Sequence, residues 1–489
     1  MELQLIGCTH RHATEQMALS LFPQYGPRVT FELPRTADFG TVTLFDRPRS
    51  CRAHCFLRIG DKTGEGVSVY PYGTDSERAQ KTALRRAVFK AYHALSGERP
   101  PWGSLSGVSP VKPALHHLSA ADPARSFAQK YDLSPRRAAL AIALARLTKT
   151  YHQAAAPRDI SIYVGIPFCP TKCAYCSFIS SAAPTPALTE AYVTALCCEI
   201  QEGARCFLPL DLRVRSVYIG GGTPTFLSAD QLARLLDTLT GSFSLDGGAE
   251  FTVEAGRPDT IDRQKLDLFA CYGVSRLSVN PQSLQPQVLE AIGRGHSAAD
   301  FFAAYALVRE YDFLVNVDLI AGLPRESGAA FLDGLAQVME LGPDCVTLHT
   351  LSCKKGADTR VFAAQMDEKE LDRTLAAAYH RLQTAGYNPY YLYKQKYMRG
   401  AFENTGFARP GALCRYNIDM MEDIHSVVAF GSGGSTKLIC PASRKITRLA
   451  NPKYAKEYIE TMPNILQKKQ DTADILCTFA HKTAGFGLI

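Results

Sequence analysis

Three cysteines in the run Ile166-Pro167-Phe168-Cys169-Pro170-Thr171-Lys172-Cys173-Ala174-Tyr175-Cys176 constrain this chain more than any other feature. Their C-x3-C-x2-C spacing follows directly on the strand-like stretch 159–166, so one ordered element delivers all three. Thiolates bind iron–sulfur clusters, which ordinarily take four of them. Three can hold three irons of a 4Fe–4S cube and leave the fourth iron open to a small molecule. An open coordination position separates a reactive metal site from a structural one. Two plainer readings stand beside this one: part of a zinc site, or buried thiols acting as small apolar groups. The next cysteines, Cys197 and Cys198, fall in a helix-like segment and offer no nearby fourth ligand.

Composition bounds the rest. A chain of 489 residues has room for two or three domains. Its 46% hydrophobic and 21% charged content is that of a soluble globular protein. The opening MELQLIGCTHRHATEQ is interrupted by His10, Arg11 and His12, which argues against a secretory leader. No run of about eighteen apolar residues occurs, so no membrane span is expected. The 15 cysteines are scattered, which fits a reduced, cytoplasmic setting better than a disulfide framework. A net charge of +7 suits anionic ligands and gives little reason to expect nucleic acid.

Residues 1 to about 150 read as a separate α+β module of unknown role. Alternation in 28–33 and in 67–70 predicts strands. A helix follows, with Arg78, Lys81, Arg85, Arg86 and Lys90 on a solvated face and Ala83, Ala87, Phe89 and Ala94 on an apolar one. The turn-rich run 100–112 punctuates the module, and a second helix over 134–152 leads into the cysteines. Cys51 and Cys55 lack a partner pair at metal-binding spacing. From 157 to 355 strands alternate with helices, the mark of βα units on a parallel sheet. Strands are expected at 160–166, 214–219, 249–255, 275–280, 313–320 and 344–350, with helices at 187–205, 228–240, 261–271, 284–293, 297–310 and 328–341. The fold class is therefore α/β: a partial (βα)6 barrel with a C-terminal α+β cap over 356–489. That cap should hold a helix over 368–385, a tyrosine-rich stretch (Tyr387, Tyr390, Tyr391, Tyr393, Tyr397), a Gly-rich strand over 427–436 and a polar terminal helix.

In βα barrels the chemistry gathers at the carboxyl ends of the strands. After the second strand lies Gly220-Gly221-Gly222-Thr223-Pro224-Thr225, where missing side chains let backbone groups approach a ligand. The third strand ends at Glu254, which can accept hydrogen bonds from a ribose, pair with a cation, or be an ordinary strand-end carboxylate. Gln282 and Arg294 follow the fourth strand, and an amide with a guanidinium can hold the carboxylate of an amino acid. Asp318 sits in the apolar fifth strand, where a carboxylate is costly without a partner or ligand.

The cysteine spacing, with its apolar lead-in and the aromatic before the last cysteine, resembles the radical S-adenosylmethionine (SAM) enzymes. Together, IPFCPTKCAYCSF, GGGTPT, VEAGRP, NPQSL, GRGH and VDLIAGLP resemble the oxygen-independent coproporphyrinogen III oxidase (coproporphyrinogen dehydrogenase) family. The resemblance extends to the long HemZ-type variant, which PPWGSLSGVSPVK and RYNIDMMEDIHSVVAFGSGGSTK both fit. The resemblance implies a radical-SAM barrel whose 4Fe–4S cluster is held by Cys169, Cys173 and Cys176. It implies SAM contacts from Tyr163, Gly221 and Glu254 at the cluster. Tyr175, Gly222, Thr223, Gln282, Arg294 and Asp318 match further SAM-holding positions, some of them at a second site, so that one or two SAM molecules bind. One departure is Phe178, which stands where the decarboxylating branch has a further cysteine, as it does in a haem-chaperone branch. The chaperone's His-rich and Tyr-Trp motif is absent too: Cys414-Arg415-Tyr416-Asn417-Ile418 occupies that neighbourhood, and Trp102 is the one tryptophan.

What the resemblance implies for chemistry is an oxidoreductase of haem and porphyrin biosynthesis. An external donor of the flavodoxin or ferredoxin type reduces the cluster, and SAM yields a 5′-deoxyadenosyl radical that takes hydrogen from a propionate. Loss of CO2 and an electron leaves a vinyl group, converting coproporphyrinogen III to protoporphyrinogen IX in two rounds. Beyond cluster and SAM no catalytic side chain is expected. The candidates to clamp the tetrapyrrole's carboxylates are Arg257, Arg276, Lys354, Lys355, Arg399 and Arg415. The alternatives are a haem carrier that keeps cluster and SAM, a radical methylase or haem-opening enzyme on the same scaffold, and a simple electron-transfer protein.

Overall fold

The computed structural model describes all residues except 23–24, 74, 177–180, 246–247, 353–365, 395–401 and 485–489. Two compact units emerge: Met1–Leu147 with 350–354 and 392–404, and Thr148–His349 with Lys355–Tyr391 and Thr405–Ile489.

The smaller unit is built on a sheet in the order Arg28–Thr30, Glu2–Ile6, Phe39–Arg47, Ser50–Ile59, Lys62–Pro71. The helix Ser76–Ser96 starts where the Asp75 side chain accepts from the Arg78 N–H, and it stops at left-handed Gly97. It packs so close to the sheet that a Cβ on Gly64 or Gly66 would lie 2.3 Å from Ala91 O or 2.1 Å from Ala87 O. In this last strand, predicted from the alternation in 67–70, the glycines face the helix, and Val67 and Val69 point to solvent. The strand expected over 28–33 ends at Thr30, with Phe31 and Leu33 exposed. Ala94 is exposed rather than part of the apolar stripe, and Arg86 of the basic face is engaged with Asp132 at 3.0 Å. Cys51 and Cys55 are buried core thiols.

A second core in this unit gathers around Trp102, which is buried with Phe127, Ala141 and Leu392. The Trp102 Nε1–H donates to Glu403 Oε2 at 2.7 Å, and Arg137 Nε donates to the same oxygen at 3.0 Å. Lys394 Nζ donates to Leu105 O at 2.9 Å, and burial pushes its ammonium down to about 8.

In the larger unit the first strand, Asp159–Ile166, pairs in parallel with the second, Arg213–Gly221. The second pairs with the third, Glu250–Glu254, the third with the fourth, Arg276–Ser278, and the fourth with the fifth, Leu314–Ala321, all parallel. The sixth, Cys345–Thr350, lies beside the fifth. Helices Pro186–Phe207, Ala229–Ser242, Arg263–Cys271, Pro286–Ala291, Ala298–Val308 and Gly328–Glu340 fill the connections. Thr185, Ser228, Asp262, Ser297 and Ser327 cap five of them with side-chain oxygens. Strands covered on both faces are buried at nearly every position: Ile160, Ile162, Val164 and Ile166 are buried on one face of the first strand, and Ser161 and Gly165 on the other.

The chain beyond 404 does not form a separate cap. Asn404–Ala408 pairs antiparallel with the sixth strand, and Ser426–Gly431 pairs in parallel with the first, Ala429 opposite Tyr163. The segment expected as one strand over 427–436 is a hairpin. Gly431 and Gly433 take φ of +83° and +73°, so the chain reverses into Ser435–Ile439. A Cβ on Gly431 would lie 2.4 Å from Gly165 O, which leaves no space for a side chain. Helices Glu368–Thr384 and Met462–Ala484 form as expected. Tyr387, Tyr390 and Tyr391 are buried, and Tyr397 lies outside the described residues. Among the described residues no helix is long and apolar enough to cross a membrane.

Candidate active site at the carboxyl ends of the barrel strands

The cysteine loop leaves the first strand and is pinned on several sides. Phe168–Cys169 pairs in parallel with Ser181–Ala182, the Cys176 N–H donates to Cys173 O at 3.0 Å, and the Ala174 N–H donates to Ile292 O at 2.9 Å. Cys169 Sγ lies 3.3 Å from Thr223 Oγ1. Arg257 Nη1 donates to Thr171 Oγ1 at 3.0 Å and reaches Cys173 Sγ at 3.9 Å. Tyr175 lies close to Cys173 and Arg294, and burial pushes its phenol up. Among the described residues no three His, Cys, Asp or Glu side chains converge on a single ion position. A four-iron cube offers a separate iron to each thiolate, and its ligands do not have to converge.

The Gly-rich strand end lies against this loop. The Gly222 N–H donates to Ile166 O and the Thr223 N–H to Phe168 O, both at 2.7 Å. Gly221 has φ of +109°, and a Cβ on Gly222 would lie 2.5 Å from Phe168 O. Only glycine meets both demands. Glu254 accepts from the Gly221 N–H at 3.1 Å and from the Tyr218 hydroxyl. Burial, reinforced by nearby Asp318, raises its carboxyl to about 7 against the pull of those two donors. Tyr163, Tyr218 and Tyr416 stack with centroids of Tyr218 and Tyr416 4.5 Å apart and the rings inclined by 22°. Tyr218 and Tyr416 are functional candidates that the sequence alone did not single out. The period-two phase shared with Tyr163 points to Tyr218; Tyr416 arrives from a distant helix and left no local signal.

Gln282 and Asp318 are joined through the backbone, the Gln282 N–H donating to Asp318 O at 3.1 Å. Gln282 holds φ of +69°, and its buried Oε1 has no partner among the described residues. Arg294 spends Nη2 on Asn280 O at 2.6 Å and Gly256 O at 3.2 Å, while its buried Nε has no partner among the described residues. Asp318 lies within its strand rather than after it. Asn316 Nδ2 donates to it at 2.7 Å, and His349 Nε2 lies 3.5 Å away. Although burial opposes it, these partners hold the carboxyl below its usual range.

The clamp candidates separate by position. Arg257 braces the cysteine loop. Arg276 sits at the amino end of the fourth strand, buried, with Nη1 3.2 Å from Cys345 Sγ and Nη2 2.6 Å from Ala412 O. Arg415 is at the same end, its backbone N–H donating to Glu250 at 2.8 Å. Neither faces the cysteines, because both attach to strand starts rather than strand ends. Lys354, Lys355, Arg399 and Phe178 lie outside the described residues.

A family model described as the radical SAM superfamily matches residues 163–335. The oxygen-independent coproporphyrinogen-III oxidase-like protein HemZ of Bacillus subtilis (strain 168) is 34% identical over 406 residues, 80% of each chain. Heme chaperone HemW of Haemophilus influenzae is 28% identical over 61% of this chain and 76% of its own. The solved structure of coproporphyrinogen III oxidase (HemN) from Escherichia coli, a radical SAM enzyme, shares the fold. Its TM-score is 0.52 at 24% identity, covering 65% of this chain and 72% of that one. The chain belongs to the radical SAM superfamily and, within it, to the family of HemZ-type oxygen-independent coproporphyrinogen-III oxidase-like proteins. Membership implies a 4Fe–4S cluster and SAM. The residues present fit both: three thiols on one loop, a backbone stripped of side chains beside it, and buried unpartnered atoms on Gln282 and Arg294.

Proposed function

We propose that this protein is an oxygen-independent oxidase of tetrapyrrole propionates, converting coproporphyrinogen III to protoporphyrinogen IX. The observation that carries the reading is the joining of a three-cysteine loop to unsatisfied polar atoms in one barrel mouth, in a chain related to HemZ over 80% of its length. Cys169, Cys173 and Cys176 hold the cluster. Gly221 and Gly222 would present backbone groups to SAM beside the cluster, and Thr223 and Tyr175 would flank the loop. Glu254 and Tyr163 bind the SAM at the cluster, and Gln282, Arg294 and Asp318 hold the remaining polar groups of one or two SAM molecules. When bound, cluster and SAM supply a one-electron reduction and hydrogen abstraction from an unactivated carbon. The chain's own part is orientation and the exclusion of water and oxygen. A flavodoxin- or ferredoxin-type protein is the proposed electron donor.

The haem-carrier alternative is disfavoured by Trp102. The chaperone's Tyr-Trp motif falls in the neighbourhood of Cys414-Arg415-Tyr416-Asn417-Ile418, and Trp102, the one tryptophan, lies elsewhere, buried and committed to Glu403. Anaerobic incubation with coproporphyrinogen III, SAM and a reductant, followed by mass analysis, tests the proposal. The expected product has lost one CO2 and two hydrogens per propionic acid. Unchanged porphyrin with tight haem binding supports the carrier instead, and a methylated or ring-opened product supports the other radical chemistries.

A further inference from the structure

We propose that Arg257 tunes the cluster. Its buried guanidinium directs an N–H at the Cys173 sulfur and favours the reduced state of the iron–sulfur centre that the three cysteines hold. This rests on the cluster assignment above and goes beyond it.

Arg257 follows the third strand and is 2% exposed. Its planar fork is fixed from two sides. Nε and Nη2 donate to the two oxygens of Asp259 at 3.0 and 3.1 Å, and Nη1 donates to Thr171 Oγ1 at 3.0 Å. Thr171 lies between Cys169 and Cys173, so the arginine is bolted to the cysteine loop itself. The same Nη1 reaches Cys173 Sγ at 3.9 Å. A guanidinium is permanently charged, and its rigid geometry keeps that contact in place without further loss of freedom.

Asp259 offsets part of the charge, but the two partners are unequal. The Asp259 side chain is 31% exposed and the Arg257 side chain 3%. Water screens the anion more than the cation, which leaves a net positive field at the sulfur. The Gly293–His296 loop covers the contact: Gly295 has no Cβ where one would lie 3.4 Å from Arg257 Nη2. His296 lies there buried, with neither ring nitrogen partnered among the described residues. Reduction adds negative charge to a cluster, and hydrogen bonds to its sulfurs and nearby charge set its potential. Partners of a metal's ligands tune it in the same way.

The test is an EPR-monitored redox titration of anaerobically reconstituted protein, with iron and sulfide counted for each sample. Arg257→Gln removes the charge, and the reduced-to-oxidised ratio at fixed poise should fall about tenfold, equivalent to about 59 mV for a one-electron couple. Arg257→Lys should recover part of that. Asp259→Asn strips the counter-anion and should move the potential the other way. A purely structural brace would not give shifts of opposite sign. If Arg257→Gln takes up too little iron to titrate, Arg257→Lys and Asp259→Asn decide. Equal potentials across the series, or shifts of one sign, overturn the proposal with the cluster reading intact. A wild-type protein that binds no cluster overturns both.

Discussion

Two carboxylates of the barrel unit differ in how completely the protein surrounds them. Glu199, on the helix Pro186–Phe207, is fully buried. It accepts from the Gly431 N–H at 2.7 Å, from Asn451 Nδ2 at 2.8 Å and from the Tyr458 hydroxyl, and it pairs with Lys469 Nζ at 2.9 Å. Glu254, at the end of the third strand, receives one amide and one phenol, faces another carboxylate and keeps part of its surface open. A closed set of donors with a cation makes a staple, here joining the C-terminal helix to the strand that extends the barrel. A half-filled set makes a receptor. The difference separates what holds this fold together from what it presents to a ligand.

The largest effect should come from breaking the staple. Lys469→Met leaves the Glu199 charge buried with neutral donors only, and loss of one partner of a buried pair costs about 3–5 kcal/mol. Chemical denaturation should show that loss, while SAM affinity of the folded protein stays close to wild type. A Lys469→Met protein of wild-type stability would erase the distinction between the two carboxylates.

Next comes the receptor. Glu254→Gln keeps shape and removes charge. Hydrogen bonds to charged groups are worth about 1.5–3 kcal/mol, so equilibrium dialysis should find SAM affinity lowered at least about tenfold. Its pH signature has a definite sign. A carboxyl raised to about 7 in the fold prefers the neutral form there. Its contribution to stability is complete below the ordinary carboxylate range and is lost as pH rises towards about 7. Wild type should therefore lose stability relative to Glu254→Gln over that window, while SAM binding by wild type strengthens as pH rises through about 7 and the folded acceptor becomes charged. Parallel stability curves would show that Glu254 titrates normally.

Legibility in the sequence followed the range of the interactions. The strands and helices of 159–350 were readable because crossover helices bury both faces of a parallel sheet, leaving apolar runs with caps such as Ser228 and Ser297. The cysteines, Gly221 and Glu254 were readable because each sits at a fixed offset from a strand end. Lys469, Tyr416 and Trp102 meet their partners across long stretches of chain, and no local period announces them. The choice of inward face in the last N-terminal strand has the same origin. Whether Val67 or Gly66 faces inward depends on how near the helix Ser76–Ser96 approaches, a tertiary fact.

The smallest effect should be found at Tyr416, whose part in the mouth is indirect. Its ring stacks on Tyr218, whose hydroxyl donates to Glu254. Such pairs contribute about 0.5–1.5 kcal/mol beyond buried area. Tyr416→Leu keeps the side chain apolar and should cost about 1 kcal/mol in chemical denaturation. SAM affinity should fall less than in Glu254→Gln, because the acceptor itself survives and only its donor is loosened. If Tyr416→Leu weakened SAM binding as much as the loss of the carboxylate does, the tyrosine stack rather than Glu254 would be the element on which the ligand rests.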